Sequence, residues 1–118
     1  MTSRRPAALI VEDQPFIGLI ASDILCESGF DTFHAHSAAD AAHVLGEHPE
    51  IAVVVADAQL EFARRVAQDR PDVRLVVTST ESNLAPSQVP AGARVLHKPY
   101  ASGELRVLVA AEDLLQDA

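Results

Sequence analysis

The hydrophobic period changes repeatedly along the chain, and those changes predict alternating strands and helices. Ala7-Ala8-Leu9-Ile10-Val11 is a charge-free apolar run stopped by Glu12-Asp13, the pattern of a buried strand. After Pro15, Ile17, Ile20, Ala21, Ile24 and Leu25 recur at helical spacing. That spacing predicts one buried helix face, opened by Pro15 and capped by Gly29. Phe30 to His36 alternates weakly and predicts a second, less buried strand. Ser37-Ala38-Ala39-Asp40 is a capping-box pattern for a helix that ends near Gly46, before Pro49. Ile51 to Ala56 has no polar alternation, so both faces of that strand are expected to be covered, with Asp57 ending it. Leu60 to Asp69 predicts a third helix, closed by Pro71. Val73 to Val77 makes a fourth strand running into Thr78-Ser79-Thr80, and Ala93 to His97 a fifth, closed by Lys98-Pro99. From Ser102 onward Leu105, Leu108, Val109, Ala111, Leu114 and Leu115 build a terminal helix. Between the last two strands Pro86 and Pro90 predict a short turn or irregular loop, since proline inside a helix costs about 3 kcal/mol.

Strand and helix alternating at this spacing imply an α/β fold, a parallel sheet with right-handed crossovers on both faces. At 118 residues the chain is expected to be one domain, 1–118. Its single cysteine, Cys26, excludes an intrachain disulfide. No apolar stretch is long enough to span a bilayer, and Met1 to Pro6 leads into too few apolar residues for a signal peptide, so the expected compartment is the cytoplasm. A net charge of −8 argues against direct nucleic-acid binding and against adhesion to anionic membranes.

Ligands of an open parallel sheet bind beyond the carboxyl ends of its strands. Those ends carry Glu12 and Asp13, then Asp57, then Thr78, then Lys98. Carboxylates held together repel unless a cation compensates, and an all-oxygen donor set suits Mg²⁺. With the Lys98 ammonium, such a centre can neutralise charge developing on a transferring phosphoryl group. The central carboxylate then acts as nucleophile, and Thr78 is placed to hydrogen-bond a phosphoryl oxygen.

Val11-Glu12-Asp13-Gln14-Pro15, Val55-Ala56-Asp57-Ala58-Gln59-Leu60, Val77-Thr78 and Lys98-Pro99-Tyr100, in that order and each after its own strand, resemble the receiver domain of bacterial two-component response regulators. The likeness runs from about Ala7 to Leu115 and is closest to stand-alone, atypical receivers with a reduced fourth helix. It implies a five-stranded doubly wound sheet of flavodoxin-like order 2-1-3-4-5. It also implies that Asp57 accepts a phosphoryl group from a sensor histidine kinase or phosphotransfer protein. Asp13 would bind Mg²⁺ directly, Glu12 through water, and Gln59 through its backbone carbonyl, with Asp57 as a further ligand. Thr78 and Lys98 would contact the phosphoryl group. The expected activity is self-phosphotransfer and auto-dephosphorylation only, not turnover of a separate substrate. Output would pass through protein contacts with a downstream target, or by phosphoryl shuttling, since no further domain follows Leu115. The face made by the fourth helix, fifth strand and terminal helix is the candidate homodimer surface.

The chain departs from the family in three places. Gln59-Leu60 runs straight on to Glu61 where the family has a Pro/Gly-bearing loop, Val95 stands where it carries Tyr or Phe, and the Pro86/Pro90 segment replaces a regular fourth helix. Val95 and the proline-broken segment favour an alternative, a degenerate receiver that binds a partner without phosphorylation; the retained Glu12, Asp13, Asp57, Thr78 and Lys98 weigh against it. An aspartyl-nucleophile phosphatase is disfavoured by Gln59, where a second acid belongs. A flavodoxin-like cofactor protein is disfavoured by Glu12-Asp13, which repel phosphate. His34, His36 and His43 read as solvent-facing residues rather than a transition-metal site, His97 as a rim residue without an assigned role, and Cys26 as a small packing residue. Apolar residues on several faces of the terminal helix make it a candidate partner surface.

Overall fold

The computed structural model describes residues 6–12, 14–57, 60–79, 89–90, 92–97, 103 and 105. Five strands form one parallel sheet: β1 (Ala7–Val11), β2 (Asp31–Ala35), β3 (Ile51–Asp57), β4 (Arg74–Ser79) and β5 (Arg94–His97), in the order β2-β1-β3-β4-β5. Helices α1 (Pro15–Glu27), α2 (Ala38–Glu47) and α3 (Leu60–Asp69) make the crossovers. The doubly wound α/β architecture expected from the alternating pattern is therefore the one observed. β4 runs two residues further than expected, so Thr78 and Ser79 lie inside the sheet, both buried.

Two cores sandwich the sheet. Leu9, Val11, Val54, Ala56, Leu75 and Val77 pack on α2 and α3 through Ala41, Leu45, Phe62, Ala63 and Val66. On the other face Ala8, Ile10, Val53, Val55, Val76 and Leu96 pack with Ala21, Ile24 and Leu25 of α1, Phe30 and Leu105. Consecutive residues of one strand fall alternately into the two cores, which is the pleat of a strand covered on both sides. Of the expected terminal helix, Gly103 and Leu105 are helical, Leu105 fully buried in the second core; Leu108, Val109, Ala111, Leu114 and Leu115 lie outside the described residues, as does Pro86.

The helix boundaries follow local chemistry. Pro15 opens α1, and the helix ends at Gly29 with φ of 102°. There the Phe30 N–H donates to the Leu25 carbonyl (3.0 Å) and the Gly29 N–H to the Cys26 carbonyl (3.2 Å). These are the paired bonds of a Schellman termination, and Phe30 and Leu25, both fully buried, supply its hydrophobic contact. Ser37 caps α2 by accepting the Asp40 N–H at 3.1 Å.

Two expectations are corrected. The buried face of α1 is Gly18, Ala21, Ile24 and Leu25, whereas Ile20 is 43% exposed and Ile17 only half-buried. The helix is turned so that Gly18 meets β2: a Cβ added there would lie 2.2 Å from Cε1 of His34. Phe16 and Leu19 are consequently exposed, at 74% and 58%. Cys26 is likewise exposed rather than packed; its Sγ sits 3.8 Å from Oγ1 of Thr32, which Ser22 Oγ meets at 2.9 Å.

Candidate functional site

Ile10, Val55 and Val76 all belong to the core beneath α1. Glu12, Asp57 and Thr78 each stand two residues further along the same chain runs, and strand alternation returns them to that face. The sheet register brings them to one level. Asp57 pairs with Thr78 across β3 and β4, and Glu12 follows Val11, which pairs with Ala56 on β3. Three of the residues singled out in the sequence are thus brought together at the carboxyl ends of three neighbouring strands. Asp13, Gln59 and Lys98 lie outside the described residues.

Burial separates the roles. Glu12 is 4% exposed and Thr78 2%, while Asp57 is half-buried and open to an incoming group. The Glu12 N–H donates to the Ala35 carbonyl at 3.1 Å, continuing the β1–β2 ladder by one rung. Its carboxylate Oε2 accepts the Gln14 N–H at 3.3 Å, and its carbonyl accepts from Nε2 of His34 at 3.1 Å. A carboxylate this buried gains from a cation nearby. Glu12, Asp57 and Thr78 offer oxygen only, which fits a hard cation such as Mg²⁺ and not a thiolate- or imidazole-seeking metal. Among the described residues no third acid, histidine or cysteine joins the two carboxylates.

The other histidines divide. His43 faces Glu47 one helical turn away at 3.4 Å, with both side chains well exposed. The His34 and His36 rings lie 4.8 Å apart, tilted by 41°. His97 is exposed and pairs in register with Ser79. Val95, in the position of the absent aromatic, is 39% exposed on β5. At the opposite, amino end of the sheet, Arg70 hydrogen-bonds Asp72 and holds its carboxyl below the usual carboxylate range. A groove lined by Leu45, Phe62, Val66 and Arg70 opens between α2 and α3, on the face away from Glu12, Asp57 and Thr78.

No family model matches the sequence, and no curated protein matches it. Solved structures do. A response regulator receiver domain protein from Clostridium thermocellum matches with a TM-score of 0.81 and 19% identity, over 95% of each chain. A response regulator receiver protein from Sinorhizobium medicae gives 0.81 and 23%, over 96% of each. The chain has the receiver fold. A sensor protein from a Polaromonas species is similar at 27% identity, with a TM-score of 0.78 over 94% of this chain and 99% of that one. His34 is exposed, as expected from the sequence, but its hydrogen bond to the Glu12 carbonyl and its close approach to Gly18 were not foreseen. A glycine inside an otherwise good helix, costing about 1 kcal/mol against alanine, was the signal that something must approach α1 closely.

Proposed function

We propose that this receiver acts in phosphorelay signalling, with Asp57 accepting a phosphoryl group from a histidine kinase or phosphotransfer protein. The observation that carries the proposal is the meeting of Glu12, half-buried Asp57 and buried Thr78 on one face at the strand ends, in a sheet of order 2-1-3-4-5. A carboxylate oxygen of Asp57 attacks phosphorus, the P–N bond to the donor imidazole breaks, and the leaving nitrogen keeps the electron pair. The product is an acyl phosphate. Mg²⁺, when bound, neutralises charge on the phosphoryl oxygens. Glu12 and Asp57 would hold it, with Asp13 and the Gln59 carbonyl completing the set. The Thr78 hydroxyl donates to one phosphoryl oxygen and Lys98 pairs with another. Turnover is limited to this self-phosphotransfer and to hydrolysis of the acyl phosphate.

The test is intact-mass spectrometry after incubation with Mg²⁺ and acetyl phosphate, comparing the wild type with Asp57→Asn. One base-labile phosphoryl adduct in the wild type only is expected; no adduct and no Mg²⁺ binding would overturn the proposal. That outcome would favour the second reading, a phosphorylation-independent binding module, which draws on the partly exposed Val95 where an aromatic switch residue would stand.

A further inference from the structure

The β1–β2 ladder runs out at the candidate site. Among the described residues its last main-chain rung is the Glu12 N–H to the Ala35 carbonyl. The next acceptor is the Glu12 carbonyl, and a side chain takes it: Nε2 of His34 lies 3.1 Å away, and a carbonyl can only accept, so the ring donates. The same ring lies directly over Gly18 in the first turns of α1. A Cβ there would come within 2.2 Å of Cε1 and 2.6 Å of Nε2, distances that require the ring to move. His36 stacks beside it with ring centroids 4.8 Å apart. His34 therefore touches three separate parts of the molecule: the residue that follows β1, the helix after it, and the chain leaving β2.

We propose that His34 and Gly18 form a positioning pair that fixes the junction between β1 and α1, and with it the Glu12 carboxylate. The ring acts as a spacer with a polar tip. Gly18 supplies the room, and the Glu12 carbonyl supplies the anchor. The consequence for cation binding rests on the phosphorelay reading above; the ordering of the junction does not. His34 touches no reacting atom, so its part is to hold Glu12 at the level of Asp57 at the end of β3.

The experiment uses the full chain with three variants. His34→Gln keeps an N–H donor at nearly the reach of Nε2, His34→Asn carries the same amide one bond shorter, and Gly18→Ala displaces the native ring. Amide hydrogen exchange at Glu12 and Gln14 is followed by NMR in EDTA, and Mg²⁺ affinity by calorimetric titration. In His34→Asn and Gly18→Ala the two amides are expected to exchange about fivefold faster, the effect of losing one hydrogen bond, while Val54 and Val76 in mid-sheet keep wild-type rates. His34→Gln is expected to restore both amides to within about twofold of wild type. Mg²⁺ affinity falls in the same order. Wild-type exchange at Glu12 and Gln14 in both disruptive variants would overturn the pair, as would identical behaviour of Gln and Asn at position 34. A wild type that binds no Mg²⁺ and takes no phosphoryl group would overturn the phosphorelay reading instead, and the exchange rates would still decide the positioning claim.

Discussion

Replacing Glu12 by glutamine separates what the site costs the fold from what it does. Glu12 and Asp57 stand at the same level on adjacent strands, and adjacent strands run about 4.8 Å apart. Two unit charges about 5 Å apart repel by about 3 kcal/mol at an effective dielectric of about 20. Solvent reaching half-buried Asp57 screens this, leaving about 1 kcal/mol as the working figure. Glutamine has nearly the volume of glutamate and keeps an oxygen to accept the Gln14 N–H, so little packing is lost. In EDTA, Glu12→Gln should therefore melt about 4 °C above the wild type in a domain of this size. Added Mg²⁺ should reverse the order, because the wild type gains stability by binding and the variant gains less. Differential scanning calorimetry of both proteins, in EDTA and in millimolar Mg²⁺, gives the four melting temperatures. A Glu12→Gln protein that melts below wild type in EDTA, or that gains as much from Mg²⁺, would refute the reasoning.

Three further outcomes are expected. Gly29→Ala puts a Cβ on a residue with φ of 102° at the end of α1 and should cost about 1–2 kcal/mol, read by urea unfolding. Arg70 donates through Nη2 to the Ile51 carbonyl at 2.9 Å and the Pro49 carbonyl at 3.2 Å. Arg70→Met should cost about 2 kcal/mol through those bonds, whereas Asp72→Asn, which removes only an exposed ion pair, should cost about 0.5 kcal/mol. Because Arg70 lowers the folded-state pKa of Asp72, that small term is present above the ordinary carboxylate pKa. It is lost as pH falls through the lower folded value, and the wild-type advantage over Asp72→Asn should vanish there in acid melts. Phe16→Ser with Leu19→Ser, which alters only exposed side chains, should leave the unfolding free energy within about ±0.5 kcal/mol of wild type, read by urea unfolding followed by circular dichroism.

The order of elements and the level of the site were legible in the sequence because each rests on local chemistry. An unbroken apolar run ending in acid states both a doubly covered strand and where it stops, as at Val11-Glu12 and Ala56-Asp57. The Ser37 cap and the Gly29 termination were readable for the same reason. What escaped was contact between segments distant in sequence. The rotation of α1 was misjudged because Ile20 and Gly18 compete for the buried face, and the choice is made by His34 from another element. Arg70 reads as an ordinary charge after a helix; only the fold shows that its guanidinium reaches the main chain at the start of β3. Cys26 follows an apolar helix face closely enough to suggest packing, yet the helix carries it outward.

The strand order also constrains when during synthesis the site can form. β1 is made early but sits between β2 and β3, so its second edge stays unpaired until Asp57 has left the ribosome. At about 5–20 residues per second the interval is only seconds, yet throughout it the buried flank of β1 is an open template for any extended chain nearby. Asp57 meets Thr78 only once β4 has docked as well. A nascent chain arrested between β3 and β4 would therefore display the aspartate without its hydroxyl partner, and the three-strand site would exist in molecules whose β4 has docked.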